Sequence, residues 1–174
     1  RVALRIGQST GSAATRSGRL EIDFKRRQAI VDGEIIRLSG KEAQLLQLLA
    51  SEKVDYPIFW TRMTEAAASG SYTAVQDLWV DGAAWQRWLL TYQELLQRSG
   101  CAPDADLMQK SNPRFVLRNH LGETVIRAAQ AGDFAPVQQM LAVLQTPYDS
   151  HPDHADWAGF PPDWASSIEI SCSS

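Results

Sequence analysis

The residue best suited to chemistry by its type and position is the cysteine of the segment Ser171-Cys172-Ser173-Ser174. Chain ends fray unless something ties them down, so we expect the thiol of Cys172 to be reachable from solvent on a tail. The thiolate is the reactive form of cysteine, and its accessibility controls exchange with disulfides. The position therefore predicts a redox thiol that forms a mixed or internal disulfide, with an inert tail residue as the alternative.

Other groups that could act as nucleophiles or ligands carry weaker signals. Cys101 follows a glycine in a predicted loop and is interpreted as an ordinary thiol. Its pairing with Cys172 stays open, because sequence does not show proximity. His151 and His154 flank Pro152 and an aspartate, but the proline prevents the helical spacing that places two ligands on one face. We therefore predict a solvated tail here and no metal site.

The bulk composition is that of a globular protein. A length of 174 residues with 44% apolar and 21% charged residues suits one ordinary domain or two small ones. The net charge of −3 is not that of a strongly cationic nucleic-acid binder. The apolar stretches are too short to span a bilayer, and the sequence does not open on a basic-then-apolar signal segment. We expect a cytoplasmic chain without a membrane partner.

The first part of the sequence predicts a linker followed by a small antiparallel sheet. Residues 1–18 are largely small and polar toward their end, which is typical of a flexible linker. Leu20, Ile22 and Phe24 then alternate with acidic residues, the period of a half-buried strand. Two further short strands follow, separated by Asp32-Gly33, which favours a hairpin turn because both residues tolerate positive φ.

Downstream of the sheet the pattern is helical. Ser39 followed by Glu42 predicts a capping box at the start of the first helix. Asp55 and Asp81 predict the starts of two more helices, because aspartate accepts hydrogen bonds from free amides and favours the positive helix end.

Two further helix starts are predicted nearer the carboxy terminus. Asn112-Pro113 has a capping residue followed by a proline suited to the first turn, and Asp133 is the cap predicted for the last helix. Between these segments, the aromatic stripe of Trp85, Trp88 and Tyr92 is interpreted as buried core.

The predicted fold class is mainly α, with a short N-terminal antiparallel β-meander followed by an α-helical C-terminal region. We divide the chain into the linker of residues 1–18, the meander with its first helix at 19–50, a helical region at 51–149 and an irregular tail at 150–174.

Residues 1–50 resemble the opening of the winged-helix effector domain of OmpR-type response regulators. The resemblance rests on Leu20-Glu21-Ile22-Asp23, Val31-Asp32-Gly33 and Leu38-Ser39-Gly40-Lys41-Glu42. It implies a DNA-binding regulator module as an alternative function. Such modules need a recognition helix and a C-terminal wing hairpin, and the sequence after residue 50 predicts neither. DNA is therefore not the expected partner.

Residues 45–174 resemble the C-terminal region of the selenoprotein O family. The stretches that carry this resemblance are Asp55-Tyr56, Phe59, Arg62, Asn112-Pro113, Phe115-Val116-Leu117-Arg118-Asn119, Gly132-Asp133-Phe134, Pro147-Tyr148-Asp149, Trp164 and the terminal Ser171-Cys172-Ser173-Ser174. The sequence departs from the family pattern at Pro57, where threonine is usual, and at Trp60, where phenylalanine is usual.

The resemblance implies part of a kinase-like fold that transfers AMP from ATP to hydroxyl side chains of proteins, with a divalent metal such as magnesium. Protein substrates are the implied partners. Cys172 occupies the family's selenocysteine-or-cysteine position, which is associated with redox control. The remaining motif residues are assigned structural roles: Asp55, Tyr56, Asn112, Pro113, Arg118, Asn119, Asp133 and Trp164.

The nucleotide chemistry of that family has no counterpart in this sequence. Phosphoryl-type transfer needs a phosphate-cradling loop, a lysine on the nucleotide and acidic or amide metal ligands. We find no glycine-rich phosphate loop, so we assign no catalytic, cofactor-binding or metal-binding residue and expect no cofactor in this chain. Because the two resemblances overlap at residues 45–50, we interpret the chain as a truncated regulator start fused to an adenylyltransferase end.

Overall fold

The computed structural model describes residues 14–17, 20–31 and 33–168. The chain divides into two compact units, the first ending at Asp104 and the second beginning at Ala105. Each unit buries side chains of its own, including Phe59 in the first and Phe115 in the second.

The first unit begins with an antiparallel sheet whose four strands follow one another in chain order. The strands are β1 Ala14–Ser17, β2 Leu20–Asp23, β3 Gln28–Val31 and β4 Glu34–Arg37. The predicted meander of β2, β3 and β4 is confirmed, with Gly33 at a φ of 86° beside the last hairpin. The linker prediction is wrong for residues 14–17. Their backbone groups pair with β2, which a small polar side-chain pattern does not reveal.

The inner face of the sheet is covered by the first helix. Ile22 and Ala29, which are paired between β2 and β3, are buried together. Phe24, Leu38 and Leu46 pack against them. Since Leu46 lies on helix α1, Gly40–Ser51, the meander and the first helix share one small core.

Side-chain caps set the starts of the first two long helices, as predicted. At α1 the amide of Ser39 donates to Glu42 Oε2 at 2.7 Å, and the amide of Glu42 donates to Ser39 Oγ at 3.2 Å. At α2, Tyr56–Ser69, Asp55 Oδ1 accepts from the amide of Ile58 at 3.0 Å. These bonds satisfy amides that have no partner within the helix.

The fourth helix follows a short one that the sequence pattern does not predict. Helix α3 comprises Thr73–Gln76, and helix α4 comprises Gly82–Ser99. The predicted cap of α4 is confirmed, because Asp81 Oδ1 accepts from the amide of Ala83 at 2.8 Å. The helix ends at Gly100, whose φ of 64° is the left-handed conformation that glycine adopts without strain.

The second unit consists of three α-helices and two 3₁₀ helices within the described residues. They are α5 Ala105–Ser111, α6 Asn119–Gln130, α7 Ala135–Gln145 and the 3₁₀ helices Pro152–Ala158 and Asp163–Ser167. The predicted cap at Asp133 is displaced by one residue, because Phe134 occupies the N-cap position of α7; the Asp133 carboxylate still accepts from the amide of Ala135 at 3.0 Å.

The predicted helix start at Asn112-Pro113 is wrong. Asn112 closes α5 instead, because its amide and its side-chain nitrogen both donate to the carbonyl of Met108. Residues 112–118 are not helical. The amides of Arg114 and Phe115 donate to the carbonyl of Pro147 at 2.8 and 3.1 Å, and these bonds hold the segment out of a helix. Proline disfavours α conformation in the residue before it, so the same pair suits a helix end.

Throughout the part of the chain that the structure describes, every helix falls short of the length or the apolar character needed to cross a bilayer.

Removing the capping box of α1 should destabilise the first unit. We expect Ser39→Ala to lower the free energy of unfolding by about 1 kcal/mol, because the helix loses a side-chain cap. The hydrogen bonds from Ser39 hold the pKa of Glu42 below its ordinary value of 4.5. The capping contribution is therefore present above pH 4.5 and is lost as the pH falls through the lowered pKa.

Urea unfolding followed by circular dichroism measures this change. Ser51→Ala is the matched control, because its hydroxyl donates only to the carbonyl of Leu48 at the other end of the same helix. Equal destabilisation by the two variants would contradict the assigned role of the capping box.

Candidate functional site

A chain of aromatic rings connects α2 and α4 with the segment that lies between α3 and α4. The ring of Phe59 on α2 meets Trp60, Trp79 and Trp88 edge-on, with centroids 5.2, 6.2 and 5.6 Å away. Trp88 also stacks on Trp85 of the same helix at 5.6 Å. Edge-to-face and offset-stacked pairs are favourable beyond the area that they bury. The rings therefore fix how α2 and α4 lie against one another.

The two most deeply placed rings form the core, and the outer rings do not. Phe59 is 0% exposed and Trp85 is 1% exposed. Trp88 and Tyr92 are only half-buried and stack with an interplanar angle of 8°. The interpretation of the α4 stripe as core is thus confirmed for Trp85 but not for the other two rings.

The outer rings line a groove with a cavity volume of about 850 Å³, here called the α1–α4 groove. Its walls come from α1 and α4, and α2 contributes Tyr56 and Trp60. Glu52, just past the end of α1, accepts a hydrogen bond from the amide of Asp81 at 3.0 Å. This bond ties the end of one wall to the start of the other. The groove is lined by Leu38, Lys41, Glu42, Gln44, Leu45, Leu46, Leu48, Tyr56, Trp60, Ala84, Arg87, Trp88, Thr91, Tyr92 and Leu95.

Charged groups of the groove lie on its two helical walls. Lys41 and Arg87 are positive, and the guanidinium of Arg87 lies 3.7 Å from the carboxylate of Asp81 with both side chains largely exposed. Such an exposed pair contributes little stability. Glu42, the acidic residue of the lining, is engaged in the capping box. The lining of the groove thus combines apolar and aromatic side chains with two cations and one carboxylate.

The residues that line the groove include no histidine, cysteine or aspartate. Burial raises the pKa of Tyr92, with a smaller contribution from Tyr72, which keeps the Tyr92 hydroxyl protonated. In residues 14–17, 20–31 and 33–168, no group of three or more His, Cys, Asp or Glu side chains is placed to hold a metal ion.

The family-motif residues are divided between the two units. Asp55 caps α2, and the ring of Tyr56 contacts Trp60 at 6.2 Å in the wall of the groove. Asn112 and Pro113 end α5 in the second unit. The structure thus places Tyr56 in the lining of the groove, a position that the sequence does not predict.

The other motif residues surround a buried histidine that sequence reasoning missed. Arg118 and Asn119 form the start of α6, and the ring of His120 next to them is 8% exposed. The ring of Trp164 meets His120 edge-on at 6.1 Å. Burial lowers the pKa of His120, and the positive charge of Arg118 lowers it further. Asp133 lies between α6 and α7, where its carboxylate accepts from the amide of Ala135.

The remaining candidates form no reactive cluster among the described residues. Cys172 lies outside them. Cys101 is exposed, and its thiol donates to the carbonyl of Ser99 at 3.6 Å. His151 Nε2 lies 3.0 Å from the hydroxyl of Thr146, whereas His154 stacks on Trp157 at 4.1 Å. The two histidines thus have separate partners.

Acidification should destabilise the second unit through His120. The unfolded chain takes up a proton near the ordinary pKa of 6.5, whereas the folded chain resists protonation. The contribution of neutral His120 to the free energy of unfolding is therefore fully present above pH 6.5. This contribution is lost as the pH falls from there through the lowered pKa.

The midpoint of urea unfolding, measured between pH 7.5 and pH 5, checks this expectation. We expect His120→Gln to flatten this pH dependence while His154→Gln leaves it unchanged. An identical slope for the parent protein and His120→Gln would exclude His120 as its source.

The comparisons with known proteins agree on one family. A family model described as "Protein adenylyltransferase SelO" matches residues 35–145. Proteins named "Protein nucleotidyltransferase YdiU" from Variovorax paradoxus and Albidiferax ferrireducens are each 52% identical over 130 residues. Each of these matches covers 75% of this chain and 26% of the relative. The protein of the same name from Cupriavidus metallidurans is 42% identical over 134 residues, which cover 25% of it.

The chain therefore spans about a quarter of the length of the curated relatives that it matches. The family match includes each of the seven α-helices found among the described residues, and it begins before the overlap at residues 45–50 inferred from the two resemblances. The OmpR-type resemblance stays a prediction. Since the match covers more than half of the 174 residues, the chain belongs to the SelO family of protein adenylyltransferases.

Proposed function

We propose that this chain is the C-terminal helical portion of a SelO-type protein adenylyltransferase and that it serves as a scaffold without catalytic activity of its own. The observation that carries the proposal is the make-up of the α1–α4 groove. It joins apolar and aromatic side chains to two cations and one carboxylate, its lining has no histidine, cysteine or aspartate, and no cluster of metal ligands is found among the described residues.

The backbone of the described residues supports the same proposal. Glycines with positive φ stand singly at the last hairpin of the sheet and at three helix ends: Gly33, Gly70, Gly100 and Gly132. A phosphate-binding loop instead presents several successive amides to one phosphate group. The isolated glycines serve chain reversal and helix termination.

The activity of the whole protein would then reside in the portion of the SelO-type chain that this one does not match. There we place the binding of ATP and a divalent metal such as magnesium, together with AMP transfer to protein hydroxyl groups. Protein substrates are the partners that this proposal implies.

No observation on the described residues favours a DNA-binding role. Within the described residues every strand ends before residue 38, and a C-terminal wing hairpin of the OmpR type would need strands beyond that point. The proposed fusion with a regulator start rests on the sequence resemblance of residues 1–50 alone.

The purified chain should not transfer AMP. Incubation with radiolabelled ATP, magnesium or manganese and a generic protein acceptor is expected to give incorporation at least about a thousandfold below that of the intact Variovorax paradoxus relative. The expected loss reflects absent positioning and charge-stabilising groups, each of which contributes large rate factors.

Circular dichroism of the same sample confirms that the chain tested is folded. Label on the chain itself or on the acceptor, at a rate near that of the relative, would refute the scaffold proposal.

We also propose that Cys172 is a redox thiol, on the basis of its sequence position and the family resemblance. With glutathione disulfide at neutral pH, mass spectrometry should show a mixed or internal disulfide at Cys172. Cys172→Ser should abolish this product, and Cys101→Ser serves as the matched control. A Cys172 that stays reduced while Cys101 reacts would identify it as an inert tail residue.

A further inference from the structure

We propose that the α1–α4 groove is a docking site for one amphipathic helix, flanked by carboxylates, from the part of a SelO-type chain outside the matched region. This inference rests on the proposed function, in which the chain works together with a larger polypeptide.

The wall formed by α4 has the periodicity of a helix-binding surface. Its lining residues recur at intervals of three and four and follow one face of the helix over three turns. They are Ala84, Arg87, Trp88, Thr91, Tyr92 and Leu95. At 1.5 Å per residue this face is about 16 Å long. Side chains spaced in this way form the ridges and grooves into which a further helix packs.

The wall formed by α1 repeats the pattern on the opposite side. Lys41, Gln44, Leu45 and Leu48 follow the same spacing of three and four. An amphipathic helix with apolar residues at i, i+3, i+4 and i+7 is the ligand class that fits a groove between two such faces. A groove that is open along three helical turns suits a polypeptide segment better than a compact small molecule.

Charge indicates which helix would fit. Lys41 and Arg87 place positive charge on both walls, whereas the carboxylate of Glu42 is held by Ser39. The whole chain is net acidic, with a formal charge of −3, whereas the lining of the groove carries these two cations against the one carboxylate of Glu42. The positive charge is thus a local property of the groove, and carboxylates on the docked helix would complement it.

The relatives supply the source of such a helix. The match covers only 26% of the Variovorax paradoxus relative, so about three quarters of that polypeptide lies outside it. The lining of the groove, between residues 38 and 95, lies entirely within the matched residues 35–145. The docked helix is therefore expected from the remaining three quarters of the relative.

Peptides of about twenty residues, tiled across the unmatched part of the Variovorax paradoxus relative, provide the test. Binding to the full chain is followed by tryptophan fluorescence, which reports on Trp60 and Trp88, and by calorimetry. We expect acidic amphipathic peptides to bind with a Kd of about 1–100 μM, and peptides without that pattern to fail.

Two variants with the same added charge make the test specific. Thr91→Glu places a carboxylate in the groove at an exposed position and should weaken binding at least tenfold. Gln86→Glu adds that charge to the exposed opposite face of α4 and should leave binding unchanged. Circular dichroism confirms that both variants fold.

Four results would overturn the docking proposal. The first is that no peptide binds at about 1 mM, and the second is that both variants lose peptide binding equally. The third is that sedimentation shows a dimer of the chain that Thr91→Glu dissociates. The fourth is that the chain binds 8-anilinonaphthalene-1-sulfonate and no peptide displaces it. The third would identify a second copy as the occupant, and the fourth a small molecule. The AMP-transfer assay is independent, because an inactive chain that binds no peptide contradicts only the docking proposal.

Discussion

The burial of Phe59 and Trp85 is the interaction on which the first unit depends. These two rings come from α2 and α4, and Val75 of α3 is buried as well. Removing a ring of this size from a close-packed interior typically costs about 3–5 kcal/mol, because a cavity remains where the neighbours cannot collapse. The groove exists because the rings beyond this core, Trp88 and Tyr92, have neighbours on one side and an open space on the other.

Local hydrogen-bonding chemistry could be predicted from sequence, whereas tertiary placement could not. The capping box at Ser39 and the caps at Asp55 and Asp81 need only residues within one turn, so their sequence signals suffice. Asn112-Pro113 suits a helix start and a helix end equally well, and a distant carbonyl, that of Pro147, decides between them. The groove was missed because a half-buried aromatic stripe and a buried one have the same spacing.

Membership of the SelO family concerns the fold of the chain, whereas the chemistry of the described residues concerns what the chain can do by itself. The match spans the described α-helices, which are held by caps and aromatic packing. His120 shows that the framework also buries a titratable group, which the sequence pattern around Arg118 does not reveal. A framework of this kind can position other parts of a protein. Catalysis requires reactive groups in addition.

The outermost strand β4 has a consequence for how the protein behaves at high concentration. It lies at one end of the sheet order, so one side of its backbone is unpaired within the described sheet. Ile35 and Ile36 on that strand are 63% and 50% exposed. Such an edge can nucleate intermolecular β-aggregation. The charged side chains of Glu34 and Arg37 at the two ends of β4 oppose such pairing between copies of the chain.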